Sequence, residues 1–555
     1  MSFPDEIDAL SQKSSEEHAY PRPDLISLSQ YLKSWPTQKL VAKFPETSAV
    51  SEEDVTTTFA LIHEIATGTC SRFKPSPAGL AELASHSVEH GPLLLFLRGH
   101  GSPEWLNTIG EKYGVSPELY RRHLQYLEFR GRDLYSSPSL PSSSARVFQL
   151  TIPTICTRNV DGSGYEPEDL QLARRLEEEA MGRYFKQLRS KAEVADSVVR
   201  KCLLLSKQHY VVEQTVSIEV GPPGDDWRAV VWLDSGKDLC QTMKGPWSPR
   251  AGTKAWETYF FPVIVNPAID TPFTQSTDKP STPLAGLTSV HDIMEPQSHT
   301  GDRQAEEWKA AQNVALLPFQ YGSRLNKRIA RRDTLYALNQ VFQFSASAEV
   351  QFLNLLQSRI VHELSFVGAQ GDGKYHSISL LNLKYIKTQL TSHAQSLTET
   401  VSLLQNRHDL DWPHIERSDE DSATVERSAN MLLSDFKYLL QRAATLAKQC
   451  DQGMTTLVNS SMLEESRRSA NLATKVQRLT VIATIFIPLS FVCSVWGMNI
   501  DILGSGSQPF WKSFVSAVPI ILLSLVIYQW DVLIRLYDKS KSGTRRRRET
   551  QDVYS

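Results

Sequence analysis

Residues Leu479–Ile500 read LTVIATIFIPLSFVCSVWGMNI and contain no charged side chain, with Arg478 and Asp501 standing at the two ends. A helix of this length crosses a hydrocarbon layer of about 30 Å. Pro488 lies inside the run, which a membrane-spanning helix tolerates when its neighbours satisfy the freed carbonyl groups. The stretch therefore predicts a transmembrane helix.

A second uncharged run, SFVSAVPIILLSLVIYQW at Ser513–Trp530, follows after a short loop. Trp511 and Trp530 would lie at the two membrane interfaces, where tryptophan is enriched. Two buried core helices of a soluble protein are the alternative, but two such runs joined by a short loop rarely occur in a soluble domain. Segment 479–538 is therefore predicted to be a transmembrane hairpin, with helices at about 479–500 and 513–530.

Basic residues are distributed unequally around the two runs. The connecting loop carries only Lys512 and one acid, Asp501, while lysine and arginine are concentrated in the flanks. The flanking basic residues are Arg467, Arg468, Lys475, Arg478, Arg535, Lys539, Lys541 and Arg545–Arg548. Because cytoplasmic flanks are enriched in such residues, we expect a multi-pass protein with both termini in the cytosol. The plasma membrane is the expected location, with another endomembrane left open. The basic tail, 539–555, is alternatively a targeting or anionic-lipid patch.

The remaining composition is typical of a chain that stays in a reducing compartment. The 555 residues include 59 Lys and Arg and 62 Asp and Glu, a formal net charge of -3 that gives no indication of a nucleic-acid partner. Six scattered cysteines without a CxxC spacing disfavour a disulfide framework or a thiolate zinc site. The acidic N-terminal MSFPDEIDAL lacks the apolar core of a signal peptide. We expect the bulk of the chain to be cytosolic.

Four segments are predicted before the transmembrane hairpin, and together they indicate an α+β protein. Residues 1–50 are polar and predict a loosely ordered arm. Residues 51–265 mix strand and helix patterns and predict a cytosolic α/β domain. Residues 266–304, rich in Pro, Ser, Thr and Asp, predict a disordered linker. Residues 305–478 carry apolar residues at helical spacing and predict a stalk of long helices.

Within 51–265, apolar runs and proline positions indicate the individual elements. The predicted strands are Pro92–Arg98, Arg146–Ile152, the hairpin Glu213–Val220 and Trp227–Asp234, and Tyr259–Asn266. The predicted helices begin near Pro103 and Pro117, where proline suits the first helical turn, and span Pro167–Leu188. Farther along, helices are expected near Ala305–Leu317, Ser347–Leu364 and Ser377–Asn406.

The last soluble helix is expected to begin near Ser418 and to carry an apolar seam. The seam residues recur at steps of mostly four and three: Leu432, Phe436, Leu439, Ala443, Leu446, Cys450, Met454 and Leu457. Such a seam packs against neighbouring helices. No proline interrupts the chain from Ser418 to Ile487, so a single helix of about 100 Å into the membrane is predicted. The alternative is a break near Gly453.

The first span, the loop and the second span resemble the CorA family of magnesium channels. The resemblance rests on TVIATIFIPLSFVCSVWGMN, which ends in the family's signature tripeptide Gly497-Met498-Asn499 at the outer end of a charge-free helix. It implies a homopentamer whose first spans line the pore and whose second spans lie outside. It also implies passive movement of hydrated Mg²⁺ through a lipid bilayer, with no cofactor other than Mg²⁺ as the transported ion and as a regulatory ion.

This sequence departs from the family at three places. Trp496 stands where the family commonly has tyrosine, and the acidic outer loop of many bacterial members is reduced to Asp501. The position of the bacterial inner pore asparagine falls on Ala473. The family's regulatory acids have candidates here in Asp435 and Asp451, although exposed acids on a helix are more often simply solvated. The regulatory metal site is therefore unknown from the sequence.

The residue types of the first span suit a hydrated ion. Magnesium releases its water reluctantly, so a ring of Asn499 carbonyl oxygens can select it through hydrogen bonds to its waters. Gly497 allows backbones to approach closely at that level. Below the tripeptide, steps of four and three place Ala483, Ile487, Ser490 and Ser494 on one helix face, with a constriction at Ile487. The alternatives are that the serines bond their own helix and that Asn499 caps it.

Three other functions remain open at this point. ZntB-type zinc transporters share the architecture, and a non-conducting membrane sensor or scaffold is supported only by Ala473. An enzyme is not expected, although His86–His90 (HSVEH) formally fits the HxxEH zinc-peptidase pattern. On a helix His86 and His90 would share a face, but a third ligand would still be needed.

Overall fold

The computed structural model describes a discontinuous set of residues. They are 2–17, 23–33, 57–87, 91–127, 146–158, 168–206, 208–222, 224, 226–239, 242–247, 258–261, 263–265, 314–322, 325–365, 373–416, 419–497, 515, 518–520, 522–523 and 526. The chain divides into two compact units, Met1–Thr455 and Thr456–Ser555. The predicted linker, 266–304, lies outside the described residues.

The first unit is built on a mixed sheet of eight strands. They are β1 (Ala60–Glu64), β2 (Cys70–Phe73), β3 (Leu93–Arg98), β4 (Val147–Arg158), β5 (Lys201–Leu204), β6 (His209–Val220), β7 (Arg228–Leu233) and β8 (Thr258–Phe260). Their order is β2-β1-β3-β7-β6-β4-β8, with β5 paired to β6. Among the described strands, only β3 and β7 pair in parallel. All six residues of β3 are buried, which explains its continuous apolar run.

Ten α-helices accompany the sheet within the described residues. They are α1 (Phe3–Glu17), α2 (Pro23–Lys33), α3 (Pro77–Ser85), α4 (Pro103–Tyr113), α5 (Pro117–His123), α6 (Glu168–Lys191), α7 (Lys327–Ala330), α8 (Thr334–Ser365), α9 (Gly373–Gln405) and α10 (Ser422–Gly497). Short 3₁₀ turns occupy Leu124–Leu127, Val314–Gln320 and Arg407–Asp409. The mixed α+β class is confirmed, as are the hairpin of β6 with β7 and the proline-initiated α4 and α5.

The N-terminal prediction is wrong for α1 and α2. Both are helices that contribute to the core, where Phe3 and Ile7 from α1 pack with Leu28 and Leu32 from α2. Those apolar residues are spaced for one helix face, but they are diluted by Ser, Glu and Asp, so composition alone indicated disorder. The side of α4 that carries Trp105 and its neighbours gives the two helices a surface on which to fold.

Three strands were not predicted. β1 and β2 form an antiparallel pair beside β3, and β5 pairs with β6. Each is only four or five residues long, and β2 reads CSRF, with polar residues in half of its positions. Their structure depends on pairing with a longer neighbour rather than on local pattern.

The predicted stalk helices begin as part of the first unit. α8 packs on β4, where the rings of Phe342 and Phe148 are stacked with centroids 5.4 Å apart. The Ser345 hydroxyl donates to the carbonyl oxygen of Thr151 at 3.4 Å. Because α8 covers the sheet directly, this part of 305–478 is not a separate stalk.

The apolar seam of α10 is buried, as its spacing predicted. Leu432, Phe436, Leu439, Ala443, Leu446 and Cys450 are each at most 3% exposed. Phe436 meets Phe342 of α8 edge to face at 6.2 Å. The helix begins at Ser422, four residues after the predicted Ser418, because Asp421 supplies the first helical carbonyl to Thr424 and Val425.

Gly453 does not break α10, which continues through it. A Cβ atom at this position would lie 2.5 Å from Leu364 of α8 and 3.2 Å from Leu383 of α9. The glycine therefore permits close helix packing, and the predicted continuity of the helix is confirmed over Ser422–Gly497.

A buried ion cluster joins the sheet to two of these helices. His393 of α9 lies between two carboxylates, with Nδ1 2.9 Å from Glu349 of α8 and Nε2 3.0 Å from Glu213 of β6. All three residues are at most 3% exposed. Burial alone would lower the pKa of His393, but the two carboxylates outweigh it and raise that pKa to about 10. His393 is therefore a charged imidazolium that links three elements.

Replacing His393 with methionine is expected to destabilise the first unit strongly. Two carboxylates would remain buried without their shared cation, which costs about 3–5 kcal/mol for a broken buried pair. Thermal unfolding of the full-length protein in detergent, followed by tryptophan fluorescence, should show a clearly lower midpoint than wild type. In the wild type, the His393 contribution is present below pH 6.5 and is lost as the pH rises through about 10.

The matched control is the triple variant His393→Met, Glu213→Gln, Glu349→Gln. It removes the whole charge cluster and should recover most of the lost midpoint. A triple variant as unstable as the single one would show that packing of the imidazole on Phe352, and not charge pairing, holds the site.

Candidate functional site

The second compact unit begins with the C-terminal part of α10. Among the described residues, α10 is the helix long and apolar enough to cross a membrane, and its apolar stretch is not buried by the chain. Leu479 and Ile487 are each 68% exposed, and Phe486 and Phe491 are exposed to similar extents. Side chains of this size are unfavourable in water, so lipid or another copy of the chain must cover them.

The second predicted span is described at only a few positions. Val515, Val518–Ile520, Leu522, Leu523 and Val526 are all helical. Most of them are exposed, as in the first span. The remainder of 513–530, the external loop and the basic tail lie outside the described residues.

The face predicted to line a pore is part of a regular helix. Ile487, Ser490 and Ser494 are exposed, and Ala483 is partly buried. The hydroxyls of Thr480 and Thr484 donate to carbonyl oxygens one turn earlier, at 2.9 and 2.8 Å. Within the described residues, the hydroxyls of Ser490 and Ser494 make no hydrogen bond of this kind. These two serines can therefore offer their oxygens to water.

α10 ends at the signature tripeptide. Gly497 is its last helical residue, while Met498 and Asn499 lie outside the described residues. The charge-free helix therefore delivers Asn499 to its C-terminal end, where helix carbonyl groups lack intrahelical partners. The structure does not test the role of this side chain.

No group of three or more metal-ligating side chains is found in the part of the chain that the structure describes. Asp451, one candidate for a regulatory site, accepts a 2.7 Å hydrogen bond from Lys387. Asp435 is partly buried on α10, and this desolvation raises its pKa. The regulatory metal site stays unassigned.

The HxxEH alternative requires a helix that is not formed at its first histidine. α3 ends at Ser85, and His86 follows with extended backbone. Its Nε2 lies 3.1 Å from the Ser71 hydroxyl, and its ring meets Phe73 edge to face. His90 lies outside the described residues.

One catalytic-looking arrangement was not anticipated from the sequence. His123 lies 2.8 Å from the Ser217 hydroxyl and 3.3 Å from Asp234, in the order of a nucleophilic triad. All three side chains are fully buried, and Arg200 donates two 2.7 Å hydrogen bonds to Asp234. Burial also lowers the pKa of His123. A substrate has no access to these groups, which act as a polar core.

Comparison with known proteins identifies the C-terminal region. Residues 370–530 match the family model for CorA-like Mg2+ transporter protein. These residues form a CorA-like domain. It contains α9, α10, the signature tripeptide and the predicted second span, so the resemblance based on the tripeptide is confirmed. A transporter of this family is a membrane protein.

Two solved structures were also found. One is the complete CorA magnesium transporter from Methanocaldococcus jannaschii, at 12% identity and a TM-score of 0.36, covering 85% of this chain and 98% of that one. The other is the full-length CmaX protein, at 13% identity and a TM-score of 0.34, covering 87% and 98%. At such scores neither structure supports a residue role here. No curated protein matches.

The helical face can be tested by thiol chemistry. In a Cys493→Ala background, Ser490→Cys and Ser494→Cys should react with a small water-soluble methanethiosulfonate reagent, because a water-filled path would reach them. Leu489→Cys, on the opposite side of the helix, should react far more slowly. Equal labelling at all three positions would contradict a distinct aqueous face.

Proposed function

We propose that the chain assembles into an oligomeric channel that passes hydrated Mg²⁺ passively across a membrane. The observation that carries the proposal is the CorA-like match over 370–530, which includes an exposed apolar helix ending at Gly497. The driving force would be the concentration gradient and the membrane potential, which is worth about 2.3 kcal/mol per elementary charge at 100 mV.

Oligomerisation is required by geometry. One chain contributes two spans, and two helices do not enclose a pore. The seam from Leu432 to Cys450 is occupied within the chain by α8 and its neighbours, so it is unavailable to another subunit. Association would instead use the spans and the exposed part of α10 after Thr456. The family resemblance supports a homopentamer.

The ion path would combine one polar ring with a small, partly hydroxylic lining. Asn499 at the outer mouth would accept hydrogen bonds from the waters of the hydrated ion, and Gly497 and Met498 would complete that level. Ser494, Ser490 and Ala483 would line the path, with Ile487 as an apolar constriction. A neutral ring suits conduction because the ion must also leave its binding site.

Comparing Mg²⁺, Co²⁺, Ni²⁺ and Zn²⁺ flux in liposomes would separate the proposal from ZntB-like zinc transport. Zinc flux without magnesium flux would favour the zinc alternative. A correctly assembled protein that conducts none of these ions would favour a sensor or scaffold, for which Ala473 is the supporting feature.

Asn499→Ala is expected to abolish or severely reduce magnesium flux. Each lost hydrogen bond is worth roughly 0.5–1.5 kcal/mol, and all subunits lose theirs together. Asn499→Asp should also impair flux, since several charges at one ring favour tight binding over passage. The measurement is magnesium-dependent uptake by liposomes, with the oligomer sized in parallel.

The matched control is Ser505→Ala in the predicted external loop, which should conduct like wild type. Full uptake by a correctly assembled Asn499→Ala protein would show that Asn499 only caps the helix.

The proposed topology is tested by labelling intact cells. A cysteine at Ser505 should react with an impermeant thiol reagent applied outside, whereas one at Ser542 should react only after permeabilisation. The reason is the concentration of basic residues in the two flanks. The reverse pattern would remove Asn499 from the outer mouth.

A further inference from the structure

Three exposed basic residues of α10 precede its apolar stretch: Arg467, Lys475 and Arg478. Within the described residues, none of the three has a carboxylate partner. By contrast, Arg468 donates to Glu464 at 2.6 Å. The three unpaired charges form a basic stripe that is available to something outside the chain.

The basic stripe faces away from the proposed ion path. At 3.6 residues per turn, Arg467 and Arg478 lie roughly 150–170° around the helix from the face of Ala483 and Ser490, and Lys475 lies roughly 90° away. Cationic side chains on the pore side would repel a divalent cation, and this arrangement avoids that. The deduction rests on the proposed function, because it takes that face as the pore side.

Height along the helix divides the basic stripe. With a rise of 1.5 Å per residue, Arg478 lies beside Leu479 at the start of the apolar run, and Lys475 lies roughly 6 Å below Leu479. Arg467 lies roughly 18 Å below it. A headgroup layer is roughly 5–8 Å thick. Lys475 and Arg478 therefore fall within the layer, and Arg467 falls outside it.

We propose that Lys475 and Arg478 bind the anionic phosphate headgroups of phospholipids in the cytosolic leaflet. The charges are complementary, and the site lies where the apolar surface of the helix begins. Each contact would increase the preference for anionic over zwitterionic lipid by about fivefold. The contacts would also hold the inner end of the first span at a defined depth.

The test uses full-length protein in phosphatidylcholine liposomes with spin-labelled phosphatidylserine or spin-labelled phosphatidylcholine. The measured quantity is the relative association constant of the two lipids. Lys475→Gln and Arg478→Gln should each lower it about fivefold, and the double variant more. High salt should weaken the wild-type preference.

Arg467→Gln is the matched control, because it removes one positive charge from the same helix at a greater distance from the membrane. It should leave the association constant close to that of wild type. A double variant with unchanged lipid preference would overturn the proposal. An equal loss in Arg467→Gln would also overturn it, and would indicate instead that the stripe pairs with acidic groups of another copy.

Magnesium flux in the same liposomes keeps this proposal separate from the channel. Lipid preference without flux would contradict the channel and leave the lipid contact standing. Flux in the wild type without any lipid preference would contradict the lipid contact alone.

Discussion

The central physical constraint on this protein is the apolar surface that α10 leaves uncovered. Leu479, Phe486, Ile487 and Phe491 are exposed in the chain taken alone, at a hydrophobic cost that water would not support. A lipid environment removes this cost, and it also requires that the backbone polar groups be satisfied within the helix. The straight run of α10 to Gly497 meets that requirement. The need for several copies and the position of the basic residues follow from the same constraint.

α10 solves two packing problems with one continuous helix. From Leu432 to Cys450 its apolar side chains are buried by the chain's own helices, and Gly453 allows those helices to come close. After Thr456 the side chains are exposed. A helix pattern that is uniform in sequence thus serves intramolecular packing first and the membrane afterwards. For this reason the buried seam does not provide a subunit interface, although its spacing is typical of one.

The buried ionisable groups of the first unit have a structural role. His393 links α9 to α8 and β6 through two carboxylates, and Arg200 neutralises Asp234 beside His123. Groups of this kind cost free energy to bury and are strongly destabilising when one partner is removed. Their closure from solvent separates them from any chemistry on a substrate. The chemistry assigned to this protein therefore lies with the neutral side chains of the first span.

The sequence by itself determined the elements whose information is local. A charge-free run long enough to cross a bilayer, the proline-initiated α4 and α5, the hairpin of β6 with β7 and the tripeptide ending at Asn499 were all readable from residue type and spacing. The site residues Ala483, Ile487, Ser490 and Ser494 came from the same periodicity. Their roles in conduction remain proposals.

Only the tertiary structure decided which surfaces meet. It placed α1 and α2 in the core, formed the short strands β1, β2 and β5 beside longer partners, and seated α8 on β4 rather than in a separate stalk. It also brought His393 to Glu213, which is 180 residues away in sequence. The physical reason is that apolar spacing specifies that a helix face will be buried, but not by which partner. Contacts between distant residues depend on the shape and charge of the whole folded unit.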